Sequence, residues 1–427
     1  MKVFSFLIIL ILSIILSSKS ESEACVWRNW FCDWITGKNN NEEPTAPSFT
    51  EDEKMQGIRN ISSSINKFSI KLHQAMAKKT NGSFISSPLS AAMVLMMAAY
   101  GARDENANKM NEMLHFDTNN NTYKTGIYSL IKMFDALNPI GFKLANKIYA
   151  GKSTKIESDF INLVNTIFQS SFENVDFGHS EDTTTKINNW RAEKNYQRIR
   201  NVIESNELNA DTELILINSL YFSALWKYPF NRTNNILKKF NINDNEAIEQ
   251  TIMYNYGLVS YYTKFEALKI NAATFEFKSD PNNDEQLRFI ILMPRYGYYT
   301  NDVEQNLHKL QLSDLYNRTS TLNLWLPKFR IESTMNLEDM LNQLGTNFSG
   351  ISKQGSGLKM NRVVQKLTLE INELGIEAAV HSEASFNNKI GNSAPPLKQD
   401  LIFDEFSFDF LIIYNDIILL TGRFLGK

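Results

Sequence analysis

The sequence predicts an α+β fold, and three observations predict it. Apolar residues recur at spacings of three and four near the start of the main region, the mark of a helix with one buried face. Short runs of Leu, Ile and Phe bounded by turn residues mark buried strands. The two kinds of segment are interleaved irregularly, with no internal repeat and no block of like charge.

Taken in chain order, a first helix is expected from about Ile58, with Ile61, Ile65, Phe68, Leu72 and Met76 on its buried side. Pro88 starts a second, more apolar helix running through Leu95 and Met97 to Ala102. Leu214 to Phe222, Leu287 to Met293 and Leu322 to Leu326 are expected to be buried strands. Phe406 to Ile413 and Ile417 to Thr421 form a β-hairpin turning at Tyr414–Asp416.

The N-terminus has a different character. Lys2 is followed by an apolar run from Val3 to Leu16, then by Ser17, Ser18, Lys19 and Ser20. A spanning helix needs about 20 apolar residues, and this run is shorter. A basic start, a short apolar stretch and small residues read as a signal peptide over residues 1–20, cleaved after Ser20. The mature chain is therefore expected to be secreted, soluble and extracellular. Six Asn-X-Ser/Thr sequons, at Asn60, Asn81, Asn120, Asn231, Asn317 and Asn347, fit that compartment as glycosylation sites.

Residues 21–57 form an extension before a main domain at 58–427. It carries the only cysteines, Cys25 and Cys32, expected to close a small disulfide loop in an oxidising compartment. Trp27, Trp30, Phe31 and Trp34 surround them, and Gly37 to Pro47 reads as a polar linker. The aromatic loop is either a docking element for a partner or a cap on the main domain, and the sequence leaves both open.

Composition narrows the function. Of 427 residues 43% are hydrophobic and 21% charged, enough apolar material for a large core. A net charge of −3 gives no footprint for nucleic acid or an anionic membrane. No basic stripe suggests a site for an anionic polysaccharide, though dispersed residues such as Arg191, Lys194, Arg198 and Arg200 could form one. Nucleophile elbow, Walker-type loop and dinucleotide fingerprint are all missing. The five histidines (His73, His115, His179, His308 and His381) are scattered, with no pair at metal-ligand spacing. Neither enzyme chemistry nor a metal or other cofactor is expected.

Several segments together resemble the serpin family. Phe84-Ile-Ser-Ser-Pro88-Leu89-Ser90 is similar to its SPLS motif, and Gly101-Ala102 to the GA after the next helix. Ile187-Asn188-Asn189-Trp190 resembles its IN-x-W pattern. Leu216-Ile-Asn218-Ser-Leu-Tyr-Phe222 with Trp226 and Phe230, then Leu292-Met-Pro294, Leu326-Pro-Lys-Phe329 and Gly422-Arg423, follow in the family's order. The likeness runs from roughly Ile58 to Phe424. It implies three β-sheets, about nine helices and an exposed reactive-centre loop, here from about Glu373 to Asp400. Glu373, Gly375, Ile376, Glu377, Ala378 and Ala379 resemble the family's hinge. Ser87, Ser90, Asn218 and Gln365 fall at its shutter, Gln365 standing where the family has a histidine. Counting from Glu373 at the family's spacing puts the cut bond at Lys389–Ile390, a bond suited to trypsin-like proteases, with Phe386 as the runner-up for chymotrypsin-like ones.

Without the family, the loop still reads as two things at once. Ile376, Ala378, Val380, Ser382, Ala384 and Phe386 alternate with Glu377, Ala379, His381, Glu383 and Ser385, the period of a half-buried strand. Asn387, Asn388, Gly391, Asn392, Ser393, Pro395 and Pro396 follow, which is loop composition. Such a segment is expected to be loop in one state and strand in another, as when a serpin loop is cleaved and inserts. Burial of Ile376, Val380 and Phe386 would drive that insertion by roughly 5–9 kcal/mol, and about ten ladder hydrogen bonds at about 1 kcal/mol each would add a similar amount. The expected function is therefore a monomeric suicide inhibitor of an extracellular, trypsin-like serine protease. The alternative is a non-inhibitory carrier, storage or binding protein. Its grounds are the bulk of Ile376, Val380 and His381 where the family keeps small or hydroxyl residues.

Overall fold

Thr50 opens the first helix. The computed structural model of the protein describes residues 47–102, 104–136, 141–154, 156–194, 203–243, 246–279, 286–316, 319–344, 351–353, 356–358, 360–362, 364–376, 400–402 and 407–426. Helix α1 spans Glu51–Lys79, and Thr50 and Glu53 cap it reciprocally: Thr50 Oγ1 accepts from the Glu53 N–H while the Glu53 carboxylate accepts from the Thr50 N–H. Glu51, Asp52 and Glu53 sit at the positive end and Lys78 and Lys79 at the negative end. The helix thus begins ahead of Ile58, because its first turns are held by capping and charge and not by the apolar stripe. That stripe is buried as expected: Ile61, Ile65, Phe68 and Leu72 are fully enclosed and Met76 nearly so.

Helix α2 (Pro88–Gly101) starts behind Ser87, whose hydroxyl accepts from the Ser90 N–H at 3.2 Å. It is apolar all round, and every residue from Pro88 to Ala99 is buried, as a helix without a polar face must be. The remaining helices are α3 (Asp104–Leu114), α4 (Asn121–Ala136), α5 (Ser158–Thr166), α6 (Ser180–Lys194), α7 (Thr300–Asn306) and α8 (Leu337–Gln343). Eight α-helices therefore lie among the described residues. Gly57 and Gly126 bring α1 and α4 to backbone contact, since a Cβ on Gly57 would stand 2.5 Å from the Gly126 nitrogen.

The strands in chain order are β1 (Phe84–Ser86), β2 (Phe142–Gly151), β3 (Ser171–Val175), β4 (Leu214–Phe222), β5 (Ala224–Leu225), β6 (Ile236–Asn243), β7 (Glu246–Phe265), β8 (Ile270–Glu276) and β9 (Leu287–Pro294). Then come β10 (Thr319–Pro327), β11 (Phe329–Asn336), β12 (Ile351–Lys353), β13 (Ser356–Leu358), β14 (Met360–Arg362), β15 (Val364–Ile371), β16 (Gly375–Ile376), β17 (Asp400–Ile402), β18 (Phe408–Tyr414) and β19 (Ile417–Phe424). Nine of them form one sheet in the order β1-β19-β18-β9-β8-β7-β10-β17, with β6 also on β7. The 20-residue β7 joins two sectors, pairing with β6 and β10 along one part and with β8 at its far end. The main sheet is two four-stranded ladders, β14-β4-β2-β3 and β11-β15-β16-β5, and β12 and β13 make a separate hairpin. Two sectors and the main sheet give the α+β, three-sheet architecture expected.

The largest core packs α1, α2 and α4 against the inner faces of these sheets, with Phe289, Phe329, Phe410 and Trp226 among its rings. The C-terminal hairpin turns at Asn415–Asp416, with Asn415 at φ 49, a left-handed conformation that Asn tolerates. Asn66 on α1 pins that turn: its amide donates to the Asp416 carbonyl at 2.6 Å and accepts from the Ile418 N–H at 2.9 Å. Phe406, expected in the hairpin, lies outside the described residues, and β19 continues past Thr421 to Phe424.

Candidate functional site

Among the described residues the two ladders of the main sheet share no backbone pairing. On one side β4 pairs with β2 along its whole length. On its other side it meets β14 at Leu214 and Ile215 alone. Strand β15 pairs with β11 from Val364 to Ile371, and its far edge is met by β16 only at Ile371. Among the described residues, Leu216–Phe222 and the stretch of β15 before Ile371 each leave one edge without a ladder. Unladdered edges facing each other form a template for another strand.

A tight turn closes the top of the split. Asn372 follows β15, and its side-chain oxygen accepts from the Leu374 N–H at 2.9 Å and the Gly375 N–H at 3.3 Å. Strand β16 then enters the sheet, Gly375 pairing with Leu225 and Ile376 with Ala224 on β5. Gly375 has φ +151, and any Cβ there would collide with the Ala224 carbonyl, so only glycine fits. Trp226 stacks on Phe277 at 4.6 Å, and its indole N–H donates to the Asn372 carbonyl at 2.9 Å.

Glu373 is almost wholly buried under this turn. Its carboxylate accepts from the Asn235 amide at 2.7 Å and from Lys328 Nζ at 3.3 Å, with Arg232 Nε at 3.7 Å. Burial works against its charge, but its own backbone N–H, Asn235 and Lys328 outweigh that and hold the carboxyl below its usual range.

The structure corrects one expectation here. Glu373 to Ile376 are not exposed loop: Ile376 is fully buried and already paired on both sides. The described part of this segment ends at Ile376, inside the sheet. Glu377, Ala378, Ala379, Val380, His381, Phe386, Lys389 and Ile390 lie outside the described residues.

Beneath the split, Gln365 ties β15 to the start of α2. Its side-chain oxygen accepts from the Ser87 N–H at 2.8 Å, and its amide nitrogen donates to the Ser87 carbonyl at 3.0 Å and to Ser90 Oγ at 3.3 Å. The Ser87 hydroxyl donates to the Leu419 carbonyl at 3.0 Å. Asn218 falls in the middle of β4, opposite Asn146 on β2. The sequence thus brought together three of these four side chains, and that of Asn218 is outside the described residues.

The remaining candidates divide. Asn81, Asn120 and Asn231 are exposed in turns, whereas Asn60 lies inside α1, half-buried and accepting from the Gln56 amide at 2.8 Å. Asn317, Asn347, Cys25, Cys32 and the signal segment lie outside the described residues, as do Arg198 and Arg200. Arg191 is no part of a basic surface: it is 1% exposed. Among the described residues no helix is long and apolar enough to cross a membrane.

Sequence reading missed a buried charged cluster elsewhere. His73 on α1, Glu304 on α7, Asp409 on β18 and Arg423 on β19 meet in the interior. His73 Nε2 lies 3.1 Å from Asp409 Oδ1, and Arg423 Nη1 donates to Glu304 Oε1 at 2.9 Å. Burial first and the Asp409 charge second push Glu304 up to about 6, against the pull of Arg423 and His73. Arg423 also donates to the carbonyls of Thr80 and Gly82 just past α1. His73 and Asp409 stand 336 residues apart in sequence and Arg423 and Thr80 343, so no local spacing could announce them.

A family model described as serpin (serine protease inhibitor) matches residues 63–426. Human Serpin B3 is 27% identical over 402 residues, spanning 86% of this chain and 99% of that protein. Among solved structures, Serpin48 of the insect Tenebrio molitor superposes with a TM-score of 0.73 at 24% identity, covering 89% of this chain and all of the other. Human thyroxine-binding globulin superposes with a TM-score of 0.71 at 20% identity over 88% of this chain and 99% of its own, so the same fold also serves a protein named for binding a hormone.

Proposed function

Because this chain belongs to the serpin family, whose relatives are serine protease inhibitors, we propose that it is a secreted suicide inhibitor of trypsin-like serine proteases. One observation carries the reading: the parted edges of β4 and β15, with Gly375 and Ile376 already seated between β15 and β5 at the top. A loop continuing from Ile376 is in register to extend that strand downward, each new residue meeting an edge that has no ladder.

In this reading a protease serine attacks the Lys389 carbonyl carbon, the Lys389–Ile390 bond breaks, and the Ile390 amine leaves. Glu377, Ala378 and Ala379 then follow Ile376 into the split while the protease stays esterified to Lys389. Gln365, Ser87, Ser90 and Asn218 act as the shutter that lets the halves part. Ile376 is buried before cleavage, so it adds nothing to the later driving force. The apolar gain falls to Val380 and Phe386, about 3–6 kcal/mol, and the new ladder remains the larger contribution. Secretion is supported by the N-terminal apolar run and by the exposed sequons at Asn81, Asn120 and Asn231.

Incubation with trypsin is expected to give a covalent complex that survives denaturing electrophoresis, with a released peptide beginning at Ile390 by mass spectrometry. Clean cleavage with full trypsin activity remaining would overturn the inhibitory reading and favour a non-inhibitory binding protein. The bulk of Ile376 no longer argues for that second reading, because this side chain is already buried in the sheet.

A further inference from the structure

Helix α6 lies on the β2–β4 half of the main sheet, Ile187 and Trp190 packing with Tyr149, Ile215 and Ile217. From the next position on this helix, Arg191 reaches across to the other half. Its Nη2 donates to the carbonyl of Lys366, on β15, at 2.9 Å. Its Nε and Nη1 have no hydrogen-bond partner among the described residues. It is among the largest fully buried side chains. Burial alone pulls its pKa down to about 10.

A guanidinium has five N–H donors and keeps its charge, so one bond to a neutral carbonyl leaves most of its hydration unreplaced. Its place is also specific. Strand β15 gives alternate residues to its ladder with β11, and the carbonyl held by Arg191 is reached from the side of the split. A strand entering there would offer backbone N–H groups to that edge and release Arg191 from its bond.

We propose that Arg191 is a strained bolt across the split sheet, which raises the energy of the uncleaved form and gives that energy up when the inserting strand displaces it to water. This rests on the inhibitory reading for its consequence: the release adds to the drive for insertion and so decides how often a cleaved loop traps its protease before the acyl bond is hydrolysed. Arg191 is a positioning residue, since it touches neither the protease nor the bond that is cut. The class of effect is kinetic partition, and the sequence hides it because an Arg beside Trp190 on a polar helix reads as surface charge.

The test compares wild type with Arg191→Met, which fills the space without charge, and with Arg191→Gln, which keeps a donor for the Lys366 carbonyl but no charge. Each is measured uncleaved and after cleavage by trypsin, for thermal midpoint and for the moles of inhibitor consumed per mole of trypsin trapped. Both variants are expected to raise the uncleaved midpoint by a few degrees, to leave the cleaved midpoint unchanged, and to raise the inhibitor consumed by about threefold or more, as a destabilised starting state is relaxed. An uncleaved midpoint that is unchanged or lower in both variants overturns the bolt, whatever the trapping result. If wild type itself traps nothing, the inhibitory reading fails, while the midpoints still decide whether Arg191 strains the uncleaved form.

Discussion

Around β18 each strand is enclosed by partners: Phe410 faces Gly422 on β19 and Ile291 on β9, and the ladder continues through β8 to β7. Around β4 and β15 the same kinds of residue make strands that stop short of each other. The charged groups differ in the same way. Glu304 and Arg423 are buried as a bonded pair with further carbonyls on the guanidinium. Arg191 is buried with one neutral partner among the described residues. Among the described residues, a single chain therefore holds one region whose strands are laddered on both edges and another whose facing edges are not. The second is where a conformational change can draw its energy, since a fully satisfied sheet has nothing left to gain.

Four substitutions probe that contrast, from the largest expected effect to the smallest. Arg423→Met strips the buried Glu304 of its partner and should cost about 3–5 kcal/mol of stability in both uncleaved and cleaved forms, read as equal falls in denaturation midpoint. A loss confined to one form would show that the closed region is coupled to the split. Gly375→Ala forces a side chain against the Ala224 carbonyl at an unfavourable φ, for about 1–3 kcal/mol. That loss should appear as a lower midpoint with faster limited proteolysis near Ile376, and a midpoint equal to wild type would mean the turn is not held as described.

The smallest effect separates two glutamates with opposite pH signs. Glu304 holds its proton more tightly folded, at about 6 against an ordinary 4.5, so its contribution is complete below 4.5 and is lost as pH climbs through about 6. Glu373 is held below 4.5, so its contribution is present above 4.5 and is lost as pH falls beneath that value. Glu304→Gln should flatten the stability profile between pH 4.5 and 6, by on the order of 1–2 kcal/mol. Glu373→Gln should flatten only its acid limb. Urea titrations across pH read both, and an unchanged slope in either window removes the corresponding assignment.

Much of this architecture was legible locally. Pro88 with Ser87 marked the start of α2, and the apolar run Leu214–Ile217 marked β4, because cap chemistry and burial leave their signature within a few residues. Gln365 was found through its likeness to a position in a family, and its bonds to Ser87 and Ser90 follow from Gln offering both a donor and an acceptor. The seating of Gly375 and Ile376 in the sheet was not legible, since a period of two runs on from Ile376 without a break and does not set apart the residues already paired. The burial of Arg191 was hidden for a related reason: charge type is local, but the depth of a side chain depends on a strand 175 residues further on. The cluster at Glu304 shows the same limit over longer separations.

The C-terminal hairpin has a consequence for how the molecule is made. Strands β18 and β19 sit between β1 and β9 in the nine-stranded sheet, yet they are the last described strands to leave the ribosome. Until they emerge, β1 has no neighbour in that sheet, the Asn66 side chain has no turn to hold, and the large core lacks Phe408, Phe410 and Phe424. Chains usually mature from the N-terminal end as they are synthesised, but here the innermost layer is delivered last. Assembly must wait for β18 and β19 to emerge, and a ribosome that stalls before residue 408 would release a product with its central seam open and its aromatic interior bare to quality control.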